Sequence, residues 1–137
     1  VVAADNDPIA VRVARTNVRL NRIAPQNLRC VVSAGFAGRT VRRGGPYGII
    51  LANILAGPLR RMAGDLVSHL AVNGWLILSG ILNEQAVGVE RVYVAKGLRC
   101  WTMLRIGDWT TIVMRPAAIG SMPGVWHGRL TAVLAAE

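Results

Sequence analysis

Almost wholly apolar stretches alternate along the chain with stretches whose apolar residues recur at helical spacing. A strand of a parallel sheet is apolar on both faces because helices cover both of them. The apolar stretches predict strands at residues 1–4, 28–32, 47–53 and 75–79. Apolar residues three or four positions apart share one helical face, and they predict helices at about residues 8–21, 58–72 and 83–96. Residues 33–48 are glycine-rich and predict an irregular loop.

Short polar signals mark the ends of two of these helices. Asp7 is a favoured helix N-cap, and Pro8 occupies the first helical position, where its missing N–H does no harm. Asn83 is predicted to cap the third helix, and Gly97 is predicted to end it.

The alternation gives way to a hairpin near the end of the chain. Gly107-Asp108 predicts a two-residue turn between antiparallel strands at residues 101–106 and 109–114. Strand–helix alternation followed by a hairpin is typical of an α/β fold, with a doubly wound parallel sheet and an antiparallel edge. No hydrophobic period continues past that point, so residues 1–115 are predicted to form the domain and residues 116–137 an irregular tail.

Polar side chains follow two of the predicted strands, and sheets of this class bind ligands at the carboxyl ends of their strands. Asp5 follows the first strand, where an acidic side chain can accept both hydroxyls of a ribose. The alternative is that Asp5 and Asp7 serve only the turn and the helix cap. Asn53 ends the third strand. Its carbonyl either accepts a hydrogen bond from a substrate N–H or ties its own backbone, as asparagines in loops do.

Composition favours a buried sheet over a membrane protein. The 137 residues are 53% apolar with a mean hydropathy of +0.40. The longest apolar run, residues 48–59, contains Asn53 and Pro58 and is shorter than the roughly 20 residues of a membrane-spanning helix. The two cysteines, Cys30 and Cys100, lie far apart without metal-ligand spacing. We therefore expect a cytoplasmic protein with reduced thiols, no metal site and no membrane span.

The net charge of +9 comes from 16 basic against 7 acidic residues. Such a charge favours acidic or nucleic-acid-rich partners. Arginine-rich composition is equally a product of codon bias in a GC-rich genome. No aromatic residues interleave with the first arginines, so a base-stacking platform is not indicated.

Several segments, in this order and spacing, resemble a known family. DNDPIAVRVARTNVRLN, LANILAGPL, LSGILNEQ and the hairpin GDWTTIVMR are similar to the bacterial methyltransferases that modify ribosomal protein L-eleven. The likeness covers about residues 1–115. Related enzymes that methylate glutamine or nucleic-acid amines carry Asn-Pro-Pro-Tyr or Asp-Pro-Pro-Tyr at Asn53. The Asn53-Ile54-Leu55 found here favours the ribosomal-protein family.

The resemblance implies a Rossmann-like class I methyltransferase domain that uses S-adenosylmethionine. It places Asp5 on the ribose hydroxyls of this cofactor, Asn6 near the adenosine, Ser33 at the adenine pocket and Asn53 beside the methyl donor and the substrate amine. The family methylates lysine ε-amines and the N-terminal α-amine of a large-subunit ribosomal protein. Contact with ribosomal RNA is a further expectation.

Measured against the family, the chain is expected to lack the first strand of the catalytic domain, the glycine loop after it and an N-terminal recognition domain. We therefore expect the 137 residues alone to bind the cofactor poorly. Two alternatives remain at this point: a methyltransferase acting on RNA or on another protein, and a basic ribosome-binding remnant without catalysis.

Overall fold

A computed structural model describes residues 1–117, which form two β-sheets and five α-helices. The strands are β1 (Val2–Asp5), β2 (Arg29–Val32), β3 (Tyr47–Asn53), β4 (Leu70–Leu82), β5 (Leu98–Ile106) and β6 (Trp109–Pro116). The helices are α1 (Pro8–Leu20), α2 (Arg39–Gly44), α3 (Ala56–Arg61), α4 (Ala63–Ser68) and α5 (Ala86–Val94). Most of the predicted tail, from residue 118 onward, lies outside the described residues.

The two sheets divide the strands by position in the chain. β1 and β2 pair in parallel, and the second sheet has the order β3-β4-β6-β5. Within it β3 and β4 are parallel, while β6 is antiparallel to both of its neighbours. The predicted α/β fold with a closing antiparallel hairpin is therefore confirmed. No backbone pairing joins β1 to β3 in the described part.

The β1–β2 sheet is covered on both faces. Ala4 belongs to the main core together with Phe36, whereas Ala3 and Cys30 pack against Val11 of α1. Successive side chains of a strand point to opposite faces, so the two adjacent alanines serve the two sides. This double burial explains why the chain begins with an unbroken apolar stretch.

Helices α3, α4 and α5 pack on one face of the four-stranded sheet. The largest buried side chains at this interface are Leu59, Leu66, Val89 and Tyr93 from the helices, and Ile50, Leu76, Leu78, Ile112 and Met114 from the strands. The Tyr93 hydroxyl donates a hydrogen bond to the Leu59 carbonyl at 2.7 Å, which ties α5 to α3. Burial raises the pKa of Tyr93 above its ordinary value.

Local end signals are confirmed at the first helix and in the hairpin. The Asp7 carboxylate accepts a hydrogen bond from the Ile9 N–H at 2.7 Å, and Pro8 is the first residue of α1. Gly97 follows α5 with φ +88° and Gly107 lies in the hairpin turn with φ +57°. Both conformations are in the left-handed region that glycine adopts without steric penalty.

The prediction of an irregular loop at residues 33–48 was wrong in part. Residues Gly35–Ala37 form a single 3₁₀ turn, and Arg39–Gly44 form α2. In α2 only Val41 is buried among six residues. One buried residue in so short a helix produces no periodic pattern, so tertiary packing determines this helix.

The helix predicted at residues 58–72 was also wrong in its extent. It begins two residues earlier, divides at Met62 into α3 and α4, and ends at Ser68. Strand β4 then begins at Leu70, which pairs with Tyr47, rather than at Trp75. Leu70 continued the apolar spacing of the helix, but in the fold it fills a strand position.

Asn83 does not cap the third helix, because α5 begins at Ala86 after a 3₁₀ turn. Its amide instead holds the hairpin: Nδ2 donates to the Gly107 carbonyl at 2.9 Å, and Oδ1 accepts from the Thr110 hydroxyl at 2.7 Å. The Asn83 side chain therefore bonds to a hairpin that is distant in sequence instead of capping the helix that follows it.

Among residues 1–117 no helix is long and apolar enough to span a bilayer. The same stretch holds no group of three or more His, Cys, Asp or Glu side chains that could bind a metal ion. Both cysteines, Cys30 and Cys100, are free thiols. Burial, reinforced by the neighbouring Glu90, raises the pKa of the Cys100 thiol.

Candidate functional site

Asp5 is the last residue of β1, and its carboxylate stands at the carboxyl end of that strand. One oxygen, Oδ1, accepts a hydrogen bond from the Asp7 N–H at 2.8 Å and so closes the turn into α1. The second oxygen makes no hydrogen bond within the described residues, and the side chain is half-buried. Asp5 therefore serves the turn with one oxygen, while the other oxygen stays free to accept a hydrogen bond.

Asn6 follows directly and is exposed. Its side-chain amide has no hydrogen-bond partner in the described part of the chain. It thus adds a free donor and a free acceptor next to Asp5.

Ser33 lies beside Asp5, because its N–H donates to the Asp5 carbonyl at 2.8 Å. Its side chain is 7% exposed. The hydroxyl donates to the Gly35 carbonyl at 2.7 Å and accepts from the Gly38 N–H at 2.9 Å. The Ser33 hydroxyl therefore shapes the loop between β2 and α2, and its predicted contact with a ligand stays a prediction.

Asn53 is the last residue of β3 and is exposed. Its side chain makes no hydrogen bond within residues 1–117, so it does not tie its own loop. In the parallel pairing it lies opposite Ser79 of β4, whose hydroxyl is engaged with that of Thr111 at 3.1 Å. The Asn53 amide is thus presented at the carboxyl edge with both its donor and its acceptor free.

Gly80 supports Asn53, and the sequence prediction missed it. Its φ is +76°, and a Cβ there would lie 2.8 Å from the Ile54 carbonyl oxygen and 3.1 Å from Asn53 Oδ1. Any side chain at this position would collide with the backbone that carries the amide. The signal in the sequence is the glycine within LSGIL at the end of a predicted strand, since an isolated glycine in a strand indicates close backbone approach.

The structure joins Asp5, Asn6 and Ser33 in one group and presents Asn53 separately. In the described residues no hydrogen bond links that group to Asn53, and β1 and β3 belong to different sheets. The side chains with raised pKa values, Tyr93 among them, lie in the core or pack against it. The site therefore offers free hydrogen-bonding groups at the ends of two strands.

Residues 1–117 match the family described as Ribosomal protein L11 methyltransferase (PrmA). The ribosomal protein L11 methyltransferase of Bradyrhizobium diazoefficiens is 44% identical over 115 residues, which are 84% of this chain and 39% of that protein. The one of Rhizobium rhizogenes is 47% identical over 112 residues, 82% of this chain and 38% of that protein. The chain therefore spans less than half the length of these relatives.

Solved structures show the same fold. The ribosomal protein L11 methylase of Lactobacillus delbrueckii subsp. bulgaricus superposes with a TM-score of 0.72 at 24% identity, over 85% of this chain and 57% of that one. The tRNA methyltransferase TrmK of B. subtilis superposes with a TM-score of 0.66 at 14% identity, over 84% and 49%. Their fold is the Rossmann-like methyltransferase fold expected above. With the family match extending from residue 1 to residue 117, the chain belongs to the ribosomal protein L11 methyltransferase family.

Proposed function

We propose that this chain is part of an S-adenosylmethionine-dependent enzyme that methylates lysine ε-amines and the N-terminal α-amine of ribosomal protein L11. Membership of the family supports the substrate. We also assign the protein to the cytoplasm, and we assign the catalytic part to residues 1–115 and a separate tail to residues 116–137. The end of the family match at residue 117 supports that division.

The residues at the end of β1 fit the cofactor. Asp5 has a free carboxylate oxygen, which suits the hydroxyls of a ribose, and Asn6 has a free amide beside it. Ser33 would contribute through the loop that its hydroxyl shapes. When bound, S-adenosylmethionine supplies a methyl group on a sulfonium, which departs as a neutral thioether.

The observation that carries the proposal is the free amide of Asn53, held at the end of β3 above Gly80. An amine attacks only in its neutral form, whereas a lysine ammonium has a pKa of about 10.4 in water. Leu55, 58% exposed, gives this edge an apolar neighbour, and apolar surroundings lower the pKa of an amine. The Asn53 carbonyl would then accept one amine N–H and orient the nitrogen lone pair. Catalysis here is mainly positioning.

The test uses a hybrid enzyme, in which residues 1–117 of this chain replace the matching segment of the Bradyrhizobium diazoefficiens relative. We expect the hybrid enzyme to transfer labelled methyl groups to purified ribosomal protein L11. Asn53→Ala should lower kcat by about a hundredfold, the order of effect expected when a reactant is misplaced. The matched control is Asn73→Ala, at another exposed asparagine. Equal rates for the two variants would refute the role of Asn53, and transfer to ribosomal RNA alone would refute the substrate.

A further inference from the structure

Positive charge is concentrated in one part of the chain. Residues 8–64 contain ten arginines and neither aspartate nor glutamate. Codon bias in a GC-rich genome explains arginine in place of lysine, but it does not remove acidic residues. The segregation of charge is therefore a feature of the protein surface that needs its own explanation.

Three of these arginines surround one open depression of about 380 Å³, which we call the arginine pocket. Its lining consists of Val2, Arg29, Arg39, Thr40, Arg43 and Gly44. Val2 and Arg29 are paired at the amino-terminal ends of β1 and β2. Asp5 and Ser33 lie at the opposite, carboxyl ends of the same strands. The arginine pocket is therefore separate from the candidate cofactor site.

The three guanidinium groups have no counter-charge among residues 1–117. Arg29, Arg39 and Arg43 are exposed, and their side chains form no hydrogen bond or ion pair within the described residues. Other arginines do have structural partners: Arg15 donates to the Cys30 carbonyl at 3.0 Å. Like charges around one depression repel each other, and a bound anion relieves that repulsion.

We infer that the arginine pocket binds phosphate groups of an RNA backbone. The planar guanidinium fork matches the geometry of phosphate oxygens, and the Thr40 hydroxyl adds a neutral donor. Among the described residues no aromatic side chain lines the pocket, so recognition would involve the RNA backbone rather than stacked bases. The choice of RNA rests on the proposed function, because a ribosomal substrate brings RNA with it. The anion site itself does not depend on that function.

The test measures binding of a fluorescein-labelled RNA hairpin by anisotropy, for the full 137-residue chain and for the hybrid enzyme. The triple variant Arg29→Gln, Arg39→Gln, Arg43→Gln should reduce the slope of log affinity against log salt by about two, since each lost phosphate contact removes roughly 0.7–0.9. At low salt we expect affinity to fall at least about tenfold. The control is Arg105→Gln, an exposed arginine in the hairpin, which should change neither quantity. Circular dichroism of every variant verifies the fold.

Two unlabelled competitors distinguish a site for RNA from a site for any polyanion. A second, unlabelled RNA should displace the hairpin, whereas polyglutamate of equal charge should not. Displacement of the hairpin by polyglutamate at the same concentration would refute the assignment of RNA as the ligand. An unchanged salt slope in the triple variant would refute the assignment of the arginine pocket as the phosphate site. Methyl transfer by the hybrid enzyme is measured in parallel. The triple variant should retain it, so failure of the RNA site and failure of the proposed function give different results.

Discussion

Replacing Gly80 with alanine is expected to destabilise the end of β4 and to displace the amide of Asn53. Two penalties act together. The φ of +76° lies in the left-handed region, which an L-residue enters at a cost of about 1–2 kcal/mol. The new Cβ would also lie 2.8 Å from the Ile54 carbonyl oxygen. That atom is backbone and cannot turn away, so overpacking adds about 1–3 kcal/mol.

Gly97 provides the matched control, because it isolates the first penalty. Its φ is +88°, and nothing lies within 4 Å of a Cβ built there. Gly97→Ala should therefore lower the free energy of unfolding by only about 1–2 kcal/mol. The difference between the two variants, about 1–3 kcal/mol, measures the contact with the Ile54 carbonyl.

The assay combines urea unfolding of the hybrid enzyme, followed by tryptophan fluorescence, with its rate of methyl transfer. Displacing Asn53 by about 1 Å should reduce kcat on the order of a hundredfold in Gly80→Ala. Gly97→Ala should leave kcat unchanged, because Gly97 is in the turn between α5 and β5, far along the chain from the site. Equal losses of stability and activity in the two variants would refute the reasoning, since the carbonyl contact would then be irrelevant.

Two further predictions follow from the core and from the sheets. Because burial raises the pKa of Tyr93 above the ordinary tyrosine value of about 10, the folded protein retains a proton that the unfolded chain loses. The free energy of unfolding should be constant below about pH 10 and should fall as the pH rises beyond it. Unfolding midpoints measured across that range should depend less on pH in Tyr93→Phe than in the unchanged protein. The same pH profile in both proteins would contradict the prediction. The 137 residues alone should bind S-adenosylmethionine poorly, since within residues 1–117 β1 and β3 each pair with only one neighbouring strand. Tight binding by isothermal titration calorimetry would show this prediction to be wrong.

Features encoded within a few neighbouring residues were predictable from the sequence. The alternation of strands and helices, the Asp7 cap, the Gly97 helix end and the Gly107 turn all depend on local periodicity or on one residue's backbone preference. The motifs around Asn53 were enough to identify the family, which the match over residues 1–117 confirms. Asp5, Asn6, Ser33 and Asn53 stay predictions as ligand contacts, but the structure places Asp5, Asn6 and Asn53 at strand ends with free polar groups.

Features that join distant residues required the tertiary structure. Leu70 matches a helical stripe in sequence, and only its pairing with Tyr47 makes it part of a strand. Asn83 has a good capping side chain, but its amide binds the hairpin. Local sequence sets the preferences of a segment, whereas long-range contacts decide between preferences that differ by only about 1 kcal/mol. The glycine in LSGIL indicates that some backbone approaches closely, but only the fold shows that this backbone is Ile54. The convergence of three arginines on one pocket has no local signature, because it depends on chain segments that meet only in the folded protein.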